Sequence, residues 1–153
     1  MSNTTFEEYL NSHGALTYTN VGVSMRPLLK QGRDLFTVRR VADGEVCRRW
    51  DVVLYKRPPD AYVLHRIIRV RDDGAYDILG DNCITVERAV PAQNVIGVMT
   101  GFVRKNKAYT VKDKRYRLYV ALWCKPYRLR TALKKGVYRV KRACRALVPR
   151  RRR

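Results

Sequence analysis

A serine, a histidine and two acidic residues stand far apart in this 153-residue chain, yet together they have the makings of nucleophilic catalysis. Ser24 follows Val21-Gly22-Val23 and precedes Met25-Arg26-Pro27-Leu28-Leu29. A serine hydroxyl is a poor nucleophile until a neighbouring base takes its proton, and imidazole, with an ordinary pKa near about 6.5, suits that task. His65 stands in Val63-Leu64-His65-Arg66-Ile67-Ile68. A carboxylate must then fix the imidazole tautomer and stabilise the imidazolium. Asp81, in Gly80-Asp81-Asn82, and Glu87 are the candidates. Each of the four also has an ordinary structural role. Ser24 suits a surface turn, His65 a half-buried strand, Asp81 the cap of its own turn, and Glu87 a solvated place beside Arg88.

The elements that must position these residues are mostly strands. Residues 5–11 predict a short helix, capped by Thr4 or Thr5, with Glu7 and Glu8 in the first turn and Gly14 as its stop. Residues 16–19 alternate as a strand and lead into the Gly22–Ser24 turn, after which Pro27, Leu28 and Leu29 suit one helical turn. Strands are expected over residues 35–41, 51–56, 62–70, 75–79 and 95–103, with a last one at 109–111. Asp43-Gly44, Pro58-Pro59-Asp60, Asp72-Asp73-Gly74 and Pro91 to Asn94 supply the turns between them. The expected fold is mainly β, with a coiled or barrel-like sheet over residues 1–112.

Residues 113–153 read as a basic amphipathic helical tail. Tyr116 to Cys124 forms a short amphipathic stretch broken at Pro126, and Leu129, Leu133, Val137, Val140, Cys144 and Leu147 then recur on one helical face. Gly136 lies inside that helix and weakens it by about 1 kcal/mol relative to alanine. The net charge of +20 belongs almost wholly here: residues 1–101 carry 13 basic and 12 acidic residues, residues 102–153 carry 20 basic residues and only Asp113. Such a tail suits an anionic membrane surface, with its apolar face in the interface. Docking on its own domain, or nucleic-acid binding through phosphates, are the alternatives, and nucleic acid is the less favoured partner. A solvated extension is the plainest reading.

Cys47, Cys83, Cys124 and Cys144 have no metal-ligand spacing, so neither a metal nor another cofactor is expected. The first residues show no basic region followed by an apolar run, and reduced thiols in a cytoplasmic setting are the expectation. The longest apolar run, Leu118 to Cys124, is seven residues, far below the roughly 20 that span a bilayer.

Four stretches, in this order, resemble the signal peptidase I family in its broad sense. They are Gly22-x-Ser24-Met25-x-Pro27-x-Leu29, then Gly32-Arg33-Asp34 with Asp51-Val52-Val53, then Val63-Leu64-His65-Arg66-Ile67, and last Leu79-Gly80-Asp81-Asn82. The similarity spans roughly residues 18–103. It implies a coiled-sheet serine peptidase with Ser24 as nucleophile and His65 as base, as in the serine–histidine branch. It also implies an acid that orients the histidine, with Asp81 favoured and Glu87 a rival. Met25 and Pro27 belong to the nucleophile box. Where many members carry a serine two residues before the nucleophile, this chain has Gly22. The Ser24 backbone N–H is then the expected oxyanion donor, and losing one donor costs about 10²–10³ in rate. The expected function is a membrane-associated serine endopeptidase that cleaves an extended leader- or signal-like segment. The alternative is a non-catalytic module that captures an extended peptide by strand addition.

Overall fold

The structure is a computed structural model that describes residues 5–147, with side chains through residue 142. Helix α1 (Phe6–His13) starts where its cap demands. The Thr5 hydroxyl accepts from Glu8 N and the Glu8 carboxylate accepts from Thr5 N, at 3.2 and 2.8 Å. This reciprocal pair satisfies two N–H groups that the first turn would otherwise orphan. Gly14, at φ +74, ends the helix with a left-handed residue. The alternative cap, Thr4, lies outside the described residues.

Eight strands follow: β1 (Ala15–Thr19), β2 (Leu35–Arg40), β3 (Val52–Arg57), β4 (Ala61–Val70), β5 (Tyr76–Leu79), β6 (Glu87–Val90), β7 (Val95–Arg104) and β8 (Lys107–Thr110). They make one antiparallel sheet in the order β1-β2-β7-β3-β4-β5-β6, with β8 on β7. The ten-residue β7 is its hub. One edge pairs with β2 throughout, while the other pairs with β3 near Val98 and with β8 near Phe102. The expected barrel-like closure does not occur, because β1 and β6 do not pair and the sheet stays open. Extra residues in β7, at Ile96 and Thr100, and in β4, at Ile68, bulge and bend it instead.

Alternation along β3 shows why its first four residues, Val52 to Tyr55, are all apolar and buried. Val52 and Leu54 enter one core cluster, with Leu10, Phe36, Met99 and Phe102, whereas Val53 and Tyr55 enter the other, with Ile67, Tyr76 and Ile78. Successive side chains point to opposite faces, and both faces of β3 are covered.

The first part of the tail is integral to the domain. Helix α2 (Lys114–Tyr119) and the π-helical turn Val120–Cys124 bury Tyr116, Val120 and Cys124 in the first cluster. Helix α3 (Tyr127–Leu147) then meets the domain through its polar side. Arg130 donates to the Asp81 carbonyl and Lys134 to the Asn82 carbonyl, the latter at 2.9 Å. Its apolar stripe is not the docking face: Leu129, Leu133, Val137 and Val140 are 54–64% exposed. The side chains of Cys144 and Leu147 and the run from Pro149 to Arg153 lie outside the described residues.

Candidate active site

Residues 20–34 form a loop pinched at its neck, where Asn20 N donates to Asp34 O at 3.0 Å. The buried Asp34 carboxylate closes the far side by accepting from Lys30 N and from the Arg33 guanidinium. Within the loop, Met25, Leu28 and Leu29 sink into the core, and Leu29 N donates to Met25 O, so a single helical turn anchors the segment. Ser24 is left partly exposed at the start of that turn. Gly22 precedes it at φ +81, a left-handed value that glycine takes at little cost. Pro27 lies exposed on the outer side. The Ser24 backbone N–H has no acceptor among the described residues, which leaves it able to donate to an oxyanion.

His65 reaches the same place from β4. It pairs across the sheet with Val53, is 6% exposed, and lines a cleft of about 890 Å³ together with Ser24, Cys83 and Glu87. Glu87 Oε1 stands 3.3 Å from His65 Nδ1. Arg57 clamps the Glu87 carboxylate from the other side, and the Tyr55 hydroxyl lies 3.5 Å from Nδ1. Burial alone would raise the Glu87 pKa. Hydrogen bonds with His65, Arg57 and Tyr55 outweigh that and hold it at about 2. Burial likewise opposes the imidazolium of His65, but the contacts with Cys83 and Glu87 prevail and place its pKa above the ordinary value.

The opposite ring nitrogen lies beside Gly80, close to where the Ser24 loop passes. A Cβ placed on Gly80 would lie 2.9 Å from His65 Nε2 and 2.9 Å from the Ser24 carbonyl oxygen. A glycine at this crossing lets the histidine and the serine loop approach. Ser24 Oγ has no hydrogen-bond partner among the described residues, and catalytic hydrogen bonds often tighten only when substrate binds.

Asp81 does not reach His65, so the preference for it as the orienting acid gives way to Glu87. The reason is strand alternation: His65 and Arg66 are neighbours on β4 and point to opposite faces. Arg66 pairs in register with Leu79, and Asp81, two residues further on, follows it to that face. There the buried Asp81 carboxylate takes two hydrogen bonds from Arg66, at 2.8 and 2.7 Å, and a third from the Tyr119 hydroxyl at 2.8 Å. It ties β4 to α2. Asn82, next to it, supports the serine loop directly: its backbone N donates to Ser24 O at 2.7 Å and its Nδ2 to Val23 O at 3.1 Å.

Tyr55, Arg57, Asn82 and Cys83 were not singled out from sequence. Asn82 stood in the Gly80-Asp81-Asn82 motif and could have been found there, but no local signal marks Arg57 as the partner of a residue thirty positions on.

The cleft wall beyond His65 is apolar. Phe6, Tyr18 and Tyr62 contribute to it, with the Phe6 ring centroid 4.9 Å from that of Tyr18 and 5.0 Å from that of Tyr62, and Tyr138 of α3 also lines it. Such a wall can take up apolar groups, and Ser24 and His65 are polar groups on the same cleft. Comparisons with protein-family models, with curated proteins and with solved structures found no match.

Proposed function

We propose that the protein is a serine endopeptidase of the signal-peptidase type, with Ser24 as nucleophile, His65 as general base and Glu87 as the residue that orients the histidine. The observation that carries this reading is the bipolar setting of His65, with Nδ1 on Glu87 and Nε2 toward the Ser24 loop. Glu87 holds the proton on Nδ1, leaving the Nε2 lone pair to accept the serine proton. Ser24 Oγ then attacks the peptide carbonyl, and His65 returns the proton to the leaving amine. The Ser24 backbone N–H stabilises the oxyanion, with no side chain at Gly22 to assist it. The substrate is an extended leader-like segment whose apolar residues fill the Phe6–Tyr18–Tyr62 wall.

Wild-type protein is expected to cleave within such peptides, with small residues before the cut, and Ser24→Ala is expected to leave no turnover above background. Equal cleavage by both, read by mass spectrometry of the products, would contradict the assignment.

The exposed apolar stripe of α3, flanked by Arg128, Lys135, Arg139 and Lys141, supports peripheral attachment to an anionic bilayer. No helix among the described residues is long and apolar enough to cross one. The protein is expected to sediment with phosphatidylserine vesicles at low salt, and the double variant Leu133→Glu/Val137→Glu to remain in the supernatant. Failure of the wild type to sediment removes this location.

A further inference from the structure

The cleft holds a free thiol as well as the Ser24 hydroxyl. Cys83 closes the Gly80–Cys83 turn, its backbone N donating to Gly80 O at 2.9 Å, and it lines the same cleft as Ser24 and His65. Its thiol and the histidine face each other across Gly80, where an added Cβ would lie 2.7 Å from Cys83 Sγ and 2.9 Å from His65 Nε2. The Cys83 thiol thus lies on the Nε2 side of the imidazole. The Nδ1 side of the ring is held by Glu87 at 3.3 Å. Cys83, His65 and Glu87 therefore have the order of groups that thiol acyl-transfer centres need: nucleophile, base and orienting acid.

The other two cysteines with described side chains provide the contrast. Cys47 and Cys124 are 3% and 2% exposed, and burial is the main cause that pushes their thiols up to about 11 and about 12. Cys83 is partly open to the cleft, and its contact with His65 outweighs burial and draws its pKa below the ordinary thiol value. Thiolate character together with access is what separates a reactive cysteine from a structural one.

We infer that Cys83 is a second nucleophile of the cleft, sharing His65 and Glu87 with Ser24 and taking up acyl groups as a thioester. The inference rests on the reading of the cleft as an acyl-transfer site, but not on Ser24 being its nucleophile. In the step, the Cys83 proton passes to His65 Nε2 and the sulfur attacks the carbonyl carbon, the π pair moving to oxygen. Collapse of that adduct breaks the bond to the leaving group, which takes the proton from His65. Water later cleaves the thioester and restores the thiol, with no net oxidation or reduction.

The test uses the full chain, p-nitrophenyl acetate as acyl donor, an acid quench and peptide mapping by mass spectrometry. Acetyl on Cys83 in both the wild type and Ser24→Ala is the expected result, lost in Cys83→Ser and reduced about tenfold in His65→Ala. Iodoacetamide at neutral pH should modify Cys83 at least about tenfold faster than Cys47 or Cys124. The slow pair reports in every variant that the core is intact. Acetyl on Ser24 alone in the wild type, and none in Ser24→Ala, overturns the Cys83 inference and leaves the serine reading standing. Acetyl on Cys83 alone supports the inference and removes Ser24 as nucleophile. Acetyl on neither residue overturns both.

Discussion

On the proposed mechanism, Glu87→Gln is expected to lower kcat/KM for peptide cleavage by about 10²–10⁴ while the protein stays folded, a range set by what loss of an orienting carboxylate costs in serine–histidine catalysis. A glutamine fits the same space but presents a neutral amide to His65 Nδ1. It neither stabilises the imidazolium nor enforces the productive tautomer. The pH dependence separates this from a mere packing loss. In the wild type, His65 titrates above the ordinary histidine value because the contacts with Cys83 and Glu87 outweigh burial. The proposed activity is therefore expected to rise with pH through a midpoint above about 6.5. With the carboxylate gone, the imidazolium loses a partner while burial still opposes it, so the midpoint moves to lower pH even as the plateau falls. A plateau that drops with an unmoved midpoint would deny Glu87 the orienting role.

Glu87 contributes to stability with the opposite pH sign. Its folded pKa is depressed to about 2 from 4.5, so its contribution is fully present above about 4.5 and is lost as pH falls toward 2. His65, with a raised folded pKa, contributes below about 6.5 and loses that contribution as pH rises through its folded value.

Asp81→Asn is expected to destabilise the protein by about 3–5 kcal/mol, the range for removing one partner of a buried ion pair. For a chain of this size that lowers the melting temperature by roughly 6–20 °C. Arg66 and Asp81 are 1% and 2% exposed. The substitution leaves the guanidinium without its countercharge and turns one of its two carboxylate acceptors into a donor, so that besides one amide oxygen Arg66 keeps the Trp50 carbonyl and the Tyr116 hydroxyl, at 2.8 and 2.9 Å. Because the Tyr119 hydroxyl also donates to Asp81, the helix α2 contact loosens as well. Arg66→Met/Asp81→Leu removes both charges and should recover much of the loss, since buried ion pairs are often replaceable by apolar residues of similar volume. Differential scanning calorimetry checks both variants. A melting temperature within about 2 °C of wild type for Asp81→Asn, below the shift expected for 1 kcal/mol in a chain of this size, would contradict the structural role. The two variants thus separate the role proposed for Glu87 in chemistry from the part that Asp81 takes in the fold.

That distinction also marks where the sequence stops being informative. β3, β4 and β7 were legible because runs of alternating or continuous apolar residues fix both strand and register, and α1 was legible through Thr5, Glu8 and Gly14. β6 was missed. It pairs with β5 only at Tyr76–Val90 and Ile78–Glu87 around an irregularity, and Ala89 has φ +54, so its periodicity is interrupted where a strand signal would need it. Missing β6 hid the place of Glu87, which looked like a solvated residue beside Arg88. Asp81 was favoured because its motif is more distinctive, but motif strength carries no information on which sheet face the side chain takes. The open rather than barrel-like sheet depends on whether the outer strands meet, a long-range outcome that no local pattern encodes. The tail's charge likewise concealed Tyr116 and Tyr119, whose packing against Arg66 and Asp81 makes α2 part of the domain.

The measurement that tests the central claim most directly is the site of covalent labelling by a fluorophosphonate, which phosphonylates only an activated hydroxyl. Peptide mapping should place the adduct on Ser24 in the wild type, abolish it in Ser24→Ala and His65→Ala, and show slower labelling in Glu87→Gln. An adduct on another residue, no adduct at all, or labelling of Ser24 undiminished by His65→Ala would contradict the account.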